Sequence, residues 1–264
     1  MVANQNAYFM ITLLDGTEYT KSELCEQAYS DNFYYNVLGK LALSSSSCKL
    51  LLDSPKTYHY IQKYGQDSSQ AMRDGWLFHT MILEPEKIDE VVFVNVQSKN
   101  SKAYKEAIKY HNFVFTMKEK HAAERLVDGF FKCEQLKQYM SDSKTEVPMV
   151  GTINHMPFRA KADILTDKGI IDLKTTVNVK DFHHSAQKFS YDLQVYIYCK
   201  LFDMPFEEFK FIAIDKKNLD IGVFSVSQDF YESGKAKCRK AIELYNQFFQ
   251  QDNDINDFIY EGTL

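Results

Sequence analysis

The sequence predicts a mixed α/β (α+β) fold, with a mixed central sheet flanked by helices and preceded by a helical N-terminal part. Three observations carry this. Apolar residues recur at helical spacing through most of residues 43–140. From about Glu146 to Thr176 the pattern becomes β-like, with turn signals at "GTINHMP" and "TDKG". A helix, a strand pair and a last helix then follow, an order that suits one sheet covered by helices.

Serine caps and helical spacing place two helices in "LSSSSCKLLLDSPKTYHYIQKYG", with Pro55 starting the second. In "SSQAMRDGWLFHTMILEP", Met72, Trp76, His79 and Leu83 are spaced to share one helix face. After "VVFVNV", an expected strand or extended segment, a charged helical region runs from about Lys102 to Met140, with Leu126, Phe130, Cys133 and Leu136 as its buried stripe. The stretch "VKDFHHSAQKFSYDLQVYIYCKLF" returns to helix, with Phe182, Ala186, Phe189, Leu193, Ile197 and Leu201 at core spacing. "FKFIAIDKKNLDIGVFSVS" reads as two further strands, and a last helix from about Asp229 to Gln251 buries Phe230, Ala241, Leu244, Tyr245 and Phe248.

The 264 residues, 45% hydrophobic and 25% charged, have ordinary globular composition and can bury a sizeable core. With no internal repeat or linker-like stretch, residues 1–264 read as a single domain: 1–42 an N-terminal elaboration without a legible motif, 43–140 mainly helical, 141–264 the sheet and its helices. No stretch approaches the roughly 20 apolar residues of a membrane span. The first residues lack the basic start of a secretory signal, so a cytoplasmic protein away from membranes is expected. Five scattered cysteines (Cys25, Cys48, Cys133, Cys199, Cys238) have no metal-type spacing, so free thiols and no iron–sulfur cluster are expected. The net charge of −5 excludes a uniformly basic surface but allows a local basic groove.

The stretch hardest to explain as structure alone is "FRAKADILTDKGIIDLKTT" (Phe158 to Thr176), two apolar strands that nevertheless hold Asp163, Asp172 and Lys174. Residues two apart share a strand face, so Asp172 and Lys174 lie together. A turn centred on Asp167-Lys168 sets Asp163 across from Asp172, about 5 Å away, whereas a bulge at Gly169 would shift the register and separate them. Charges alternating along a strand are commonly a solvated face, but these flanks are too apolar for an ordinary wet edge. Two adjacent carboxylates repel unless a divalent cation such as Mg²⁺ or Mn²⁺ joins them. A lysine beside such a cation suits phosphodiester hydrolysis.

Gly75 and His79 (G-x-x-x-H), Asp163, Asp172-Leu173-Lys174 (D-x-K), and Gln194 with Tyr198 (Q-x-x-x-Y) follow one another in this order. The set resembles the RecB-type branch of the PD-(D/E)xK nuclease superfamily. The stretches "LSSSSCKLLLDSPKTYHY" and "GWLFHTMILEPEKIDEVVFV" resemble RecE-like (exonuclease VIII-like) exonucleases most. The resemblance covers roughly Leu43 to Leu201. It implies a restriction-endonuclease-like sheet, with His79, Asp163, Asp172 and the Leu173 carbonyl as ligands of Mg²⁺, for which Mn²⁺ can substitute. By the same resemblance Lys174 orients the attacking water and stabilises developing charge, while Gln194 and Tyr198 contact DNA or brace the catalytic strands. Arg159 and Lys161, alternating on the strand toward Asp163, are candidate phosphate contacts or charged strand-edge residues; Glu146 is a candidate further acid. The sequence departs from the pattern in its short gap between the two acids and in D-x-K for the commoner E-x-K.

The implied activity is a metal-dependent 5′–3′ exonuclease on double-stranded DNA ends, working with a single-strand annealing protein. A ring-shaped homo-oligomer is implied too, whose channel Lys102, Lys105, Lys109, Lys118 and Lys120 could line. A structure-selective endonuclease, or an inactive DNA-binding module on the same fold, are the alternatives.

Overall fold

Serine and threonine side chains start most helices of the N-terminal half. The computed structural model describes residues 9–251 and 253–261. A hairpin of β1 (Met10–Thr12) and β2 (Glu18–Thr20) leads into α1 (Lys21–Gln27), a π-helical turn (Asn32–Val37) and α2 (Leu38–Leu41). Ser44 caps α3 (Ser45–Asp53) through a reciprocal box with Ser47, and Ser54 caps α4 (Pro55–Tyr64), whose first residue is the proline. Ser69 caps α5 (Gln70–Leu83).

The charged region expected to be helical from Lys102 to Met140 is interrupted. Ser101 caps α6 (Lys102–Tyr110), but Val114–Thr116 then forms a buried strand, β4, parallel to β3 (Val92–Val94). Thr116 ends that strand and also caps α7 (Met117–Lys132) in a box with Glu119, and α8 (Glu134–Met140) follows. Leu126, Phe130 and Leu136 are buried as expected; Cys133, the joint between α7 and α8, is only partly so.

Five strands build the main sheet: β5 (Lys144–Ile153), β6 (Met156–Thr166), β7 (Gly169–Thr176), β8 (Phe209–Asp215) and β9 (Ile221–Ser225), adjacent in that order. All neighbours are antiparallel except β7 and β8, whose parallel pairing requires a crossover. Helices α9 (Phe182–Lys188) and α10 (Tyr191–Phe202) supply it. They were expected as one continuous helix. Ser190, at φ +49°, breaks it, and Phe189 is therefore 50% exposed rather than in the core. The last helix, α11 (Gln228–Tyr245), runs on through a π-helical turn (Asn246–Gln250).

Helices cover both sheet faces. Residues of α3, α10 and α11 pack with Phe158, Ala160, Ala162, Ile170 and Phe211, while Phe78, Leu126, Phe130 and Leu136 of α5, α7 and α8 pack with Ile164, Ile171, Leu173 and Ile212. The N-terminal segment has its own cluster around Ile11, Leu24, Tyr34 and Leu38, anchored on Val150 of β5. No helix among the described residues is long and apolar enough to cross a membrane.

At Gly234 the α10–α11 contact is so close that a Cβ would stand 2.0 Å from the Asp192 carbonyl oxygen. Propensity alone would reward Gly234→Ala in this helix by about 1 kcal/mol. The overlap outweighs it, so the variant is expected to lower the thermal midpoint by roughly 3–10 °C. A circular dichroism melt indistinguishable from the parent's would show that the helices can separate freely.

Candidate active site

The β6–β7 ladder pairs Thr166 with Gly169, Leu165 with Ile170 and Ile164 with Ile171, the register of a turn on Asp167-Lys168. Gly169 permits it: its φ is +140°, and a Cβ there would lie 1.9 Å from the Glu208 carbonyl oxygen. Continued one step, this register would pair Asp163 with Asp172, but the ladder stops before them. From that point β6 stays with β5 and β7 with β8, so the strands part and leave a gap. Asp163 fills it, its Oδ2 accepting the Leu173 N–H at 2.8 Å. A strand residue's N–H and C=O leave from the same edge, so the Leu173 carbonyl faces the gap as well.

A second irregularity lies on the other side of Asp163. The β5–β6 ladder omits the pair Glu146–Asp163, and Glu146 has φ +50°. Across this kink the faces exchange: Ala162 packs with the α10 layer and Ile164 with the α5 layer.

The two carboxylates are met from opposite layers. His79 of α5 places Nδ1 3.4 Å from Asp163 Oδ2. Gln194 of α10 donates to Asp172 Oδ2, and Lys174 donates to Asp172 Oδ1. Asp172 is 0% exposed. Burial, and then the Asp172 charge, push the Asp163 carboxyl above its usual range. Burial opposes the Lys174 charge, but the Asp172 and Asp163 carboxylates outweigh it and raise the Lys174 pKa. Tyr198 stands one turn from Gln194 and donates from its buried hydroxyl to the Lys161 carbonyl at 2.9 Å, tying α10 to β6.

The remaining expected residues lie along β6. Lys161 is largely buried and engaged, 2.9 Å from Asp31 and 3.6 Å from Glu146. The Arg159 guanidinium rests 4.4 Å from the Tyr34 ring centre, and its buried Nε has no hydrogen-bond partner. Glu146 is pushed up to about 8 by burial and by the Asp163 charge, despite Lys161. These groups line one arm of a cleft with Tyr35, Trp76 and Glu84; His79, Ser45, Ser46 and Met72 continue into a second arm, lined by Lys49, Lys174, Phe189 and Tyr191. None of Lys102, Lys105, Lys109, Lys118 and Lys120 lines either arm.

Several cleft residues escaped the sequence reading. Tyr34 and Tyr35, which line the cleft, and Asp31, which bonds the cleft residue Lys161, belong to the first 42 residues, where nothing local marks them. Glu146, the candidate further acid, is set opposite Asp163 by a turn on Asn154-His155, both at positive φ, a register that the counting used for the neighbouring hairpin also gives.

As placed, no three His, Cys, Asp or Glu side chains among the described residues gather as closely as a metal's ligands do. The donor chemistry nevertheless fits a hard divalent cation. Two repelling carboxylates, an imidazole and a strand carbonyl border one gap, and the Lys174 ammonium and Gln194 amide now satisfy the Asp172 oxygens. A cation would draw Asp172 away from at least one of them.

Residues 44–255 match the family model described as "PDDEXK-like domain of unknown function (DUF3799)". No curated protein matches the chain. Among solved structures, one from Eubacterium rectale, described as a "Putative exonuclease", aligns over 89% of this chain and 95% of its own, at 17% identity and a TM-score of 0.61. A phage-related exonuclease from Haemophilus somnus aligns over 83% and 99%, at 16% identity and a TM-score of 0.37.

Glu146 gives the site a pH signature. Its folded pKa of about 8 lies above the unfolded value, so the folded state holds the extra proton between roughly pH 4.5 and 8. Its contribution to stability is therefore greatest below that window and declines as pH rises through it. In chelator, Glu146→Gln is expected to match the parent's midpoint near pH 4 and exceed it at pH 8.5. Parallel melting curves for the two proteins across this range would refute the assignment.

Proposed function

Because the chain belongs to the DUF3799 family of PDDEXK-like domains, we propose that it is a metal-dependent deoxyribonuclease, acting as a 5′–3′ exonuclease on double-stranded DNA ends. The observation that carries the reading is the pair of buried Asp172 and partly buried Asp163 at the parting of β6 and β7, with Lys174 on the buried acid. Asp163, Asp172, His79 and the Leu173 carbonyl would hold a divalent cation, Mg²⁺ or Mn²⁺, which when bound supplies Lewis-acid polarisation of a phosphate oxygen and activation of water.

The chain's own residues supply the rest. Lys174, kept protonated by the two carboxylates, donates to the attacking water or to the oxygen that gathers charge. Gln194 fixes the second oxygen of Asp172, and Tyr198 holds the strand that presents Asp163. Arg159, with an unsatisfied Nε, is the candidate for a phosphate farther along the strand; Lys161 is already engaged and serves mainly to position Glu146 and Asp31.

The preference for ends and the 5′–3′ direction rest on the RecE-like motifs alone. A ring-shaped homo-oligomer around duplex DNA and an annealing partner for the strand left behind complete the reading. Such a ring would reconcile the net charge of −5 with DNA binding, since only the channel need be basic.

End-labelled linear duplex and closed circular DNA, incubated with Mg²⁺, Mn²⁺ or chelator, test this. The linear substrate is expected to shorten from its 5′ ends only with metal, and the circle to survive. Asp172→Ala and Lys174→Ala are each expected to lose at least about 10³-fold in rate, Lys174→Ala while still binding DNA. Cleavage of the circle would replace the exonuclease by an endonuclease; undiminished cleavage by Lys174→Ala would remove that residue from the chemistry.

A further inference from the structure

Lys49 lies on the cleft face of α3, one turn beyond Ser45, while Cys48 and Leu51 turn the opposite face into the core. Its Nζ stands 5.4 Å from the centre of the Tyr191 ring, and Lys174 Nζ stands 4.9 Å from the same centre. One aromatic ring thus carries two ammonium groups, of which only Lys174 belongs to the acid–lysine hairpin.

Two carboxylates that act on the Lys49 charge are already bonded elsewhere, and Asp53, one turn along α3 in the same arm, forms no ion pair with it. Asp172 is bonded by Lys174 and Gln194, and Asp192 by Lys237 at 2.8 Å and Ser233 at 2.7 Å. Among the described residues no carboxylate lies within ion-pair distance of Lys49. Burial, then the Lys174 charge, push it down to about 8. An ammonium held beside another ammonium, with carboxylates near but none in ion-pair contact, is only partly compensated, and a ligand anion would complete the compensation.

Resting on the nuclease reading above, we propose that Lys49 binds the phosphate next to the scissile one, in the arm of the cleft lined by Lys174 and Tyr191. Both ammonium groups lie against the Tyr191 ring, so that Lys174 serves the reacting phosphate and Lys49 its neighbour. Arg159 lies in the other arm, and the nucleic-acid strand then meets cations on both sides of the acid pair.

Lys49→Met, Lys49→Gln and Lys49→Arg test the assignment. Lys49→Met removes a poorly compensated charge and keeps the stem, so its thermal midpoint is expected at or above the parent's. Its kcat/KM on linear duplex is expected to fall about tenfold or more, with Lys49→Arg recovering most of the loss. Binding of a fluorescent linear duplex, measured against salt in the Lys174→Ala background, is expected to lose about one unit of log–log slope when Lys49→Met is added. A packing role would leave that slope unchanged.

Parental cleavage by a folded Lys49→Met, or an unaltered salt slope, overturns the proposal. If Lys49→Met melts early, Lys49→Gln and Lys49→Arg decide it: equal rates for these two would exclude a phosphate contact. If the parent protein leaves linear duplex intact with either metal, the nuclease reading fails, and the salt slope alone decides whether Lys49 meets a phosphate.

Discussion

The repulsion between Asp163 and Asp172 governs this structure. Burying two carboxylates against each other is costly, and each neighbour offsets part of the cost. Leu173 donates its N–H to one acid; Lys174 and Gln194 donate to the other; His79 stands at the outer edge. The surrounding apolar packing contributes rigidity. Ile164, Ile171 and Leu173 are gripped by one helical layer, Ala162 and Ile170 by the other, so neither acid can relieve the strain by swinging away with its strand.

The cleft is asymmetric for reasons that lie far apart in the chain. One arm is walled by Tyr34 and Tyr35 from the N-terminal segment, which reaches the sheet through its cluster on Val150. Asp31 of the same segment bonds Lys161 and Lys87, so the wall is fastened electrostatically as well as by packing. The other arm is made by α3, the break at Ser190 and the start of α10, and its cations are lysines. The N-terminal residues are thus part of the site's architecture, not an appendage to it.

How legible each feature was depends on the range of the interaction that fixes it. The β6–β7 register follows from a two-residue turn and the period of two, both local, so counting along the sequence placed Asp163 and Asp172 together. Gln194 and Tyr198 followed from a single helical turn. By contrast, β4 is three residues long, too short for alternation to register within a charged helical pattern, and exists because Val92–Val94 pairs with it. Ser190 gives no strong signal of a helix break, so Phe189 was expected inside. Tyr34 and Tyr35 reach the cleft, and Asp31 reaches Lys161, by tertiary packing alone, which no local pattern encodes. At Arg159 and Lys161 the alternation on β6 was legible, but not that Lys161 would already be engaged by Asp31 and Glu146.

The break in the β6–β7 ladder explains why the acids stand where they do. Had pairing continued, β6 would have claimed the N–H and C=O of Leu173, and Asp163 would have pointed out of the sheet. Because β6 turns away with β5 at the Glu146 kink, Leu173 keeps one free donor and one free acceptor on the open edge. Asp163 takes the donor, and the acceptor is left facing the gap between the two carboxylates. A single local divergence of two strands thus produces the carboxylate pair, the strand carbonyl freed from the ladder and the space between them. That is why a fold with a well-packed sheet can place hard oxygen donors in its interior without a loop to carry them.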